Sequence, residues 1–290
     1  MPGRAVDTFG WARVIGACVA LGGAASPQVG VAQPAAESAA DTPVSLSSSD
    51  GVSLFAAYRP GRAGGPAVVL VHQNGRDHEE WAFLEDSLQR GGYHVLAVDL
   101  RGHGKSMTQA GKTLDPAQFT SDDFRAMTHD VEAAVTWLRG RPDVDSARIA
   151  LVGASLGANL VLAYAAGDPR IDHVAMLSPG LDYKGVTTED AIQRYGARAL
   201  FMAVSREDNY SAKSVLVLDA SSPSAQKEMK IFTGAGHGSR MLNREPSLET
   251  ALLTWLNEPV ASSAVGGPPS MPSREPAADM DVAPADPSGR

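Results

Sequence analysis

Ser155 sits in Gly153-Ala154-Ser155-Leu156-Gly157, a G-x-S-x-G pattern that follows the apolar run Arg148–Val152 directly and leads into a helix-prone segment. Strand, sharp turn and helix in that order present a serine hydroxyl on a strained elbow. The residues two before and two after it must be small so that the strand and helix backbones can approach. A serine hydroxyl needs a base before it can attack a carbonyl. His237, in Gly234-Ala235-Gly236-His237-Gly238 after EMKIF, is placed for that role on a loop that can bend beneath its ring. A carboxylate must then fix the imidazole tautomer and stabilise the imidazolium. The loop after Leu200–Ser205 offers two adjacent candidates, Asp208 and Glu207, and Asp208 is preferred. The chemistry implied is acyl transfer through a covalent intermediate.

A tetrahedral oxyanion requires preorganised N–H donors. The amide of Leu156, at the start of the helix behind the nucleophile, is one. The second is expected from the loop after Ala67–His72, at Asn74, with Gln73 as the alternative.

The elements around these residues alternate. Val44–Ser48 and Val52–Tyr58 are predicted as strands joined by a turn. Further strands are predicted at Ala67–His72, His94–Asp99, Arg148–Val152, His173–Leu177, Leu200–Ser205 and Met229–Phe232. Helices are predicted at Glu79–Arg90, Phe124–Leu138, Leu160–Ala165 and Leu248–Leu256. Short continuous apolar strands between helices imply a mostly parallel sheet covered on both faces.

Both ends differ in character from the middle. Arg4 and Arg13 precede an apolar run at Val14–Ala25, which reads as a secretory signal with cleavage after Ala32. Ile15-Gly16-Ala17-Cys18 also fits a lipobox, which would make Cys18 a lipid-anchored N-terminus, and an unprocessed leader is the third reading. The expected location is periplasmic or secreted, with no stable membrane span. From residue 259 onward the chain is rich in Pro, Ala, Ser and Gly, a composition expected to stay disordered. The domain organisation predicted is therefore leader 1–43, catalytic domain 44–258 and tail 259–290. A net charge of -8 and the absence of a basic stripe argue against a nucleic-acid partner. His72, His78, Glu79 and Glu80 do not form an HExxH zinc pattern, so neither metal nor cofactor is expected.

The chain resembles the α/β-hydrolase superfamily at VLVHQNG (69–75), DLRGHGKS (99–106), GASLG (153–157), SREDNYS (205–211) and GAGHG (234–238), which together span nearly all of residues 52–257. The nearest character is that of compact serine esterases and the dienelactone-hydrolase-like group, although that group's cysteine nucleophile is replaced here by Ser155. The resemblance implies an α/β-hydrolase fold with a mostly parallel eight-stranded sheet, helices on both faces and a minimal lid. It also implies acylation of Ser155, with Asp208 as acid and His237 as base, and a DxRGHGxS loop that shapes the pocket wall. Relatives often carry His-Gly where this chain has His72-Gln73.

The segment 178–199 is short, which suggests an open site for small or medium acyl groups. Tyr183 and Tyr195 lie in or beside it, either over the pocket or on the surface. The reading is a carboxylic-ester hydrolase acting on a small-molecule substrate. The alternatives are a peptidase or amidase, a thioesterase or acyltransferase on the same triad, and a catalytically silent exported interaction module.

Overall fold

The computed structural model describes residues 41–258. The expected signal or lipid-anchor segment before them and the expected tail after them lie outside the described residues.

The strands are β1 (Thr42–Ser47), β2 (Val52–Arg59), β3 (Gly65–Val71), β4 (His94–Val98), β5 (Thr108–Gln109), β6 (Lys112–Thr113), β7 (Val144–Ala154), β8 (His173–Leu177), β9 (Asp182–Tyr183), β10 (Val186–Thr187), β11 (Ala199–Ser205) and β12 (Lys227–Phe232). The α-helices are α1 (Ala82–Arg90), α2 (Ser121–Ala126), α3 (Thr128–Arg139), α4 (Leu156–Ala165), α5 (Glu189–Tyr195), α6 (Asn209–Ser221), α7 (Arg240–Arg244) and α8 (Pro246–Leu256). Ten strands form one mixed sheet in the order β12-β11-β8-β7-β3-β4-β2-β5-β6, with β1 also paired to β2. The run from β12 to β4 is parallel, and the pairs involving β1, β2, β5 and β6 are antiparallel. This corrects the expected strand count of eight. The two additional strands are the β5–β6 hairpin, four polar residues that add an edge without adding to the core.

The central strands are buried on both faces, and their side chains divide with a period of two. Val69 and Val71 of β3 enter one apolar cluster with Val131 and Val135 of α3 and Leu160 of α4. Val68 and Leu70 enter the other, with Leu84 and Leu88 of α1 and Leu252 of α8. Among the described residues no helix is long and apolar enough to cross a membrane.

The DLRGHGKS loop is held by two buried carboxylates. Asp99 accepts hydrogen bonds from the His78 N–H at 2.8 Å and the Lys105 N–H at 2.8 Å, and it pairs with His78 Nδ1 at 2.7 Å. A Cβ at Gly104, where φ is +51°, would lie 2.1 Å from Asp99 Oδ2. Arg101 then pins the loop to α3 through fully buried Asp130 (Nη2 to Oδ1 2.7 Å) and to the β1–β2 turn through Asp50 (Nη1 to Oδ2 2.5 Å).

Replacing Asp130 by Ala leaves the buried Arg101 guanidinium with Asp50 as its remaining carboxylate and its Nε without an acceptor, and should cost about 3 kcal/mol, read from the urea midpoint. At Gly157 a Cβ would stand 2.2 Å from the Val71 carbonyl oxygen. Gly157→Ala should therefore destabilise by about 3 kcal/mol or prevent folding, checked by the same denaturation.

Candidate active site

Ser155 links β7 to α4 with φ +52° and ψ −116°, a conformation that L-residues adopt only under constraint. The constraint comes from backbone packed against backbone. A Cβ at Gly153 would lie 2.3 Å from the Gly157 carbonyl oxygen, and Gly157 is itself pressed against β3. The Ser155 N–H donates to the Leu177 carbonyl at 2.8 Å, which ties the elbow to the end of β8. Leu156 is the first residue of α4, and its N–H makes no hydrogen bond among the described residues.

His237 lies on the loop between β12 and α7, where Gly234, Gly236 and Gly238 all have positive φ. Its Nδ1 is 2.6 Å from Asp208 Oδ2. Asp208 stands just before α6 without capping it, because its carboxylate is turned to the imidazole instead. Burial pushes the Asp208 carboxyl up. The bond to His237, aided by Ser211 and Ser178, more than reverses that and holds it below the ordinary aspartate range. Glu207 does a different job. It accepts from Ser205 Oγ at 2.6 Å and from the Gly234 N–H at 2.8 Å, bracing the histidine loop against the end of β11.

The sequence reading did not single out Ser178. At φ +53° it accepts the Gly238 N–H on its Oγ at 2.9 Å, and its own N–H donates to Ala203 at 2.8 Å. A small polar residue directly after a buried strand, in Leu177-Ser178-Pro179-Gly180, was the available signal. Tyr183 takes the pocket position. Its hydroxyl lies beside those of Ser155 and Ser211, and its ring meets the His237 ring edge-on at 6.4 Å. Tyr195 is a core residue, donating to the Ala199 carbonyl at 2.7 Å.

The loop after β3 is fixed from both sides of Gln73. His72 is fully buried, and its Nδ1–H donates to the Gln73 carbonyl at 2.8 Å while its Nε2 accepts the Leu100 N–H at 2.9 Å. Burial drives the His72 pKa down to about 4, so the ring is neutral and its tautomer is set by these two bonds. The Gln73 N–H donates to Glu80 Oε1 at 2.9 Å. That bond corrects the inclusion of Gln73 among the oxyanion donors, since its N–H is already engaged. The Asn74 N–H makes no hydrogen bond among the described residues. It belongs to the same planar trans peptide as the Gln73 carbonyl, so it points away from the oxygen that His72 holds. Beside Asn74 lies a depression of about 450 Å³ lined in part by Arg76, His103, Phe124 and Lys184.

The sequence matches the family described as alpha/beta hydrolase fold over residues 66–237. An uncharacterized protein of Mycobacterium tuberculosis is 35% identical over 128 residues, which make up 43% of this chain and 41% of that protein. A thiohydrolase of Aspergillus aculeatus is 30% identical over 133 residues, 45% of this chain and 39% of its own. The chain thus spans less than half the length of these curated relatives. Among solved structures, an esterase of Pyrococcus furiosus aligns with a TM-score of 0.59 at 18% identity, over 74% of this chain and 89% of that one. A dienelactone hydrolase of Anabaena variabilis aligns with a TM-score of 0.58 at 19% identity, over 74% and 93%. At such identities the likeness is one of fold. With the sequence match extending over more than half of its length, the chain belongs to the alpha/beta-hydrolase fold family.

Proposed function

We propose that the protein is a serine hydrolase that cleaves carboxylic esters of small to medium acyl groups through an acyl-enzyme. The observation that carries this reading is the 2.6 Å pair between His237 Nδ1 and Asp208, with Ser155 on a strained elbow beside the hydroxyl of Tyr183, whose ring meets His237. In this reading Ser155 Oγ attacks the ester carbonyl while His237 Nε2 takes its proton. Asp208 keeps Nδ1 protonated and stabilises the imidazolium. The N–H groups of Leu156 and Asn74 receive the developing oxyanion. Collapse of the intermediate expels the alcohol, which takes the proton back from His237. A water activated by the same imidazole then releases the acid.

The shortness of segment 178–199 supports a short acyl chain, since beyond the β9–β10 hairpin it holds only the seven-residue α5, which packs into the core through Ile192 and Tyr195. The likeness to a thiohydrolase favours thioesters as a second substrate class, because the same attack and the same oxyanion serve a thiolate leaving group.

The test is hydrolysis of p-nitrophenyl esters from acetate to palmitate by the full chain, beside matched acyl thioesters. Turnover should peak at roughly two to eight acyl carbons. Ser155→Ala should lower kcat by about 10⁴-fold or more with the protein still folded. Ester turnover that survives Ser155→Ala would remove the serine mechanism, and turnover of thioesters alone would move the substrate class to the second reading.

A further inference from the structure

Glu80 is a carboxyl that the proposed chemistry does not use, yet it lies at the seam between the two loops that chemistry requires. It sits on the short 3₁₀ turn His78–Trp81, whose N-terminal cap is Asp77. Its Oε1 accepts the Gln73 N–H at 2.9 Å, while its Oε2 is buried without a hydrogen-bond partner. The side-chain Oε1 of Gln73 is likewise buried and unpartnered, and it packs against the histidine loop so closely that a Cβ at Gly238 would come within 2.1 Å of it. The Ser239 hydroxyl, from the same loop, lies beside the Glu80 carboxyl. The charges that bear on Glu80 are Arg76 and Asp77, both from the loop that it holds. Burial pushes the carboxyl up to about 7, against the smaller opposing pull of the Gln73 N–H and Ser239.

A carboxyl in this place is costly. A buried acceptor without a partner destabilises the fold, and the cost grows when the group is charged. A glutamine would make the same bond to Gln73 with a neutral group. The position also has a defined mechanical consequence. With the Gln73 N–H held by Glu80 and the Gln73 carbonyl held by His72, both peptide planes that flank its Cα are fixed, and the direction of the Asn74 N–H is fixed with them.

We propose that Glu80 is a positioning residue, whose reach to the Gln73 N–H fixes the peptide plane before Gln73 and so, with His72 holding the plane after it, sets the orientation of the Asn74 donor. The inference rests on the serine-hydrolase reading above. It separates the reach of the side chain from its charge, so Glu80→Gln keeps what matters and Glu80→Leu, of similar volume, removes it.

The experiment compares the full-length wild type with these two variants. It reads kcat and KM for p-nitrophenyl butyrate, fluorophosphonate labelling of Ser155, and melting temperature at about pH 5 and pH 8. The carboxyl holds its proton more tightly when folded than when unfolded. The wild type therefore loses stability as pH rises from the ordinary glutamate value of 4.5 toward about 7, and Glu80→Gln should gain melting temperature over it at the higher pH only. Glu80→Leu should lower kcat by about tenfold or more with KM within about threefold, and Glu80→Gln should keep kcat within about threefold of wild type. A folded Glu80→Leu with wild-type kcat overturns the proposal, as does a Glu80→Gln that falls as far as Glu80→Leu. Absence of both label and turnover in the wild type overturns the serine-hydrolase reading, and this inference falls with it.

Discussion

At Gly157 the first turn of α4 lies against the end of β3 so closely that a Cβ would stand 2.2 Å from the Val71 oxygen and 2.6 Å from the His72 oxygen. That approach of backbone to backbone organises the candidate site. It brings the amide at the start of α4 toward the loop that follows β3, and it leaves the intervening residue, Ser155, no extended or helical conformation that connects the two. The positive φ at Ser155 is the result. The side chain is thereby pushed out of the sheet rather than into either core cluster.

The remaining parts arrive because the parallel strands end on one side. Loops after β3, β7, β8, β11 and β12 emerge at the carboxyl edge of the sheet, where open α/β sheets carry their sites. They are stitched to one another by short polar contacts rather than by apolar packing. Glu207 joins the β11 and β12 loops and Ser178 joins the β8 and β12 loops, while Gln73 and Glu80 tie the β3 loop to the short turn that follows it. His237 is therefore held by its neighbours' side chains, while its own backbone gains its freedom from the three glycines around it.

Where a feature depends on local backbone sterics, it could be read from the sequence. The glycines of 153–157 and 234–238 are needed for turns built from those same residues, so the elbow and the histidine loop were visible. The doubly buried strands were visible for a similar reason, as continuous apolar runs. Features that depend on distant partners were not. Asp208 and Glu207 are neighbours, and what separates them is that Glu207 is taken up by Ser205 and Gly234 while Asp208 faces His237. What distinguishes Asn74 from Gln73 is the carboxyl of Glu80, seven residues beyond Gln73 on a 3₁₀ turn whose sequence looks like plain helix. Helix α6 went unread because Leu216 and Val217 face solvent between buried Val215 and Leu218, which blurs the helical period. The β5–β6 hairpin went unread because a two-residue polar strand has no pattern to detect.

In the proposed mechanism Ser155, His237 and Asp208 act as one unit and Glu207 stands outside it. The most direct measurement is the rate at which a fluorophosphonate labels Ser155, located by peptide mass, in wild type, Asp208→Asn and Glu207→Gln. Labelling should fall by about 10³-fold or more in Asp208→Asn and by less than about tenfold in Glu207→Gln. Equal losses in the two variants, or a label that maps to a residue other than Ser155, would contradict that mechanism.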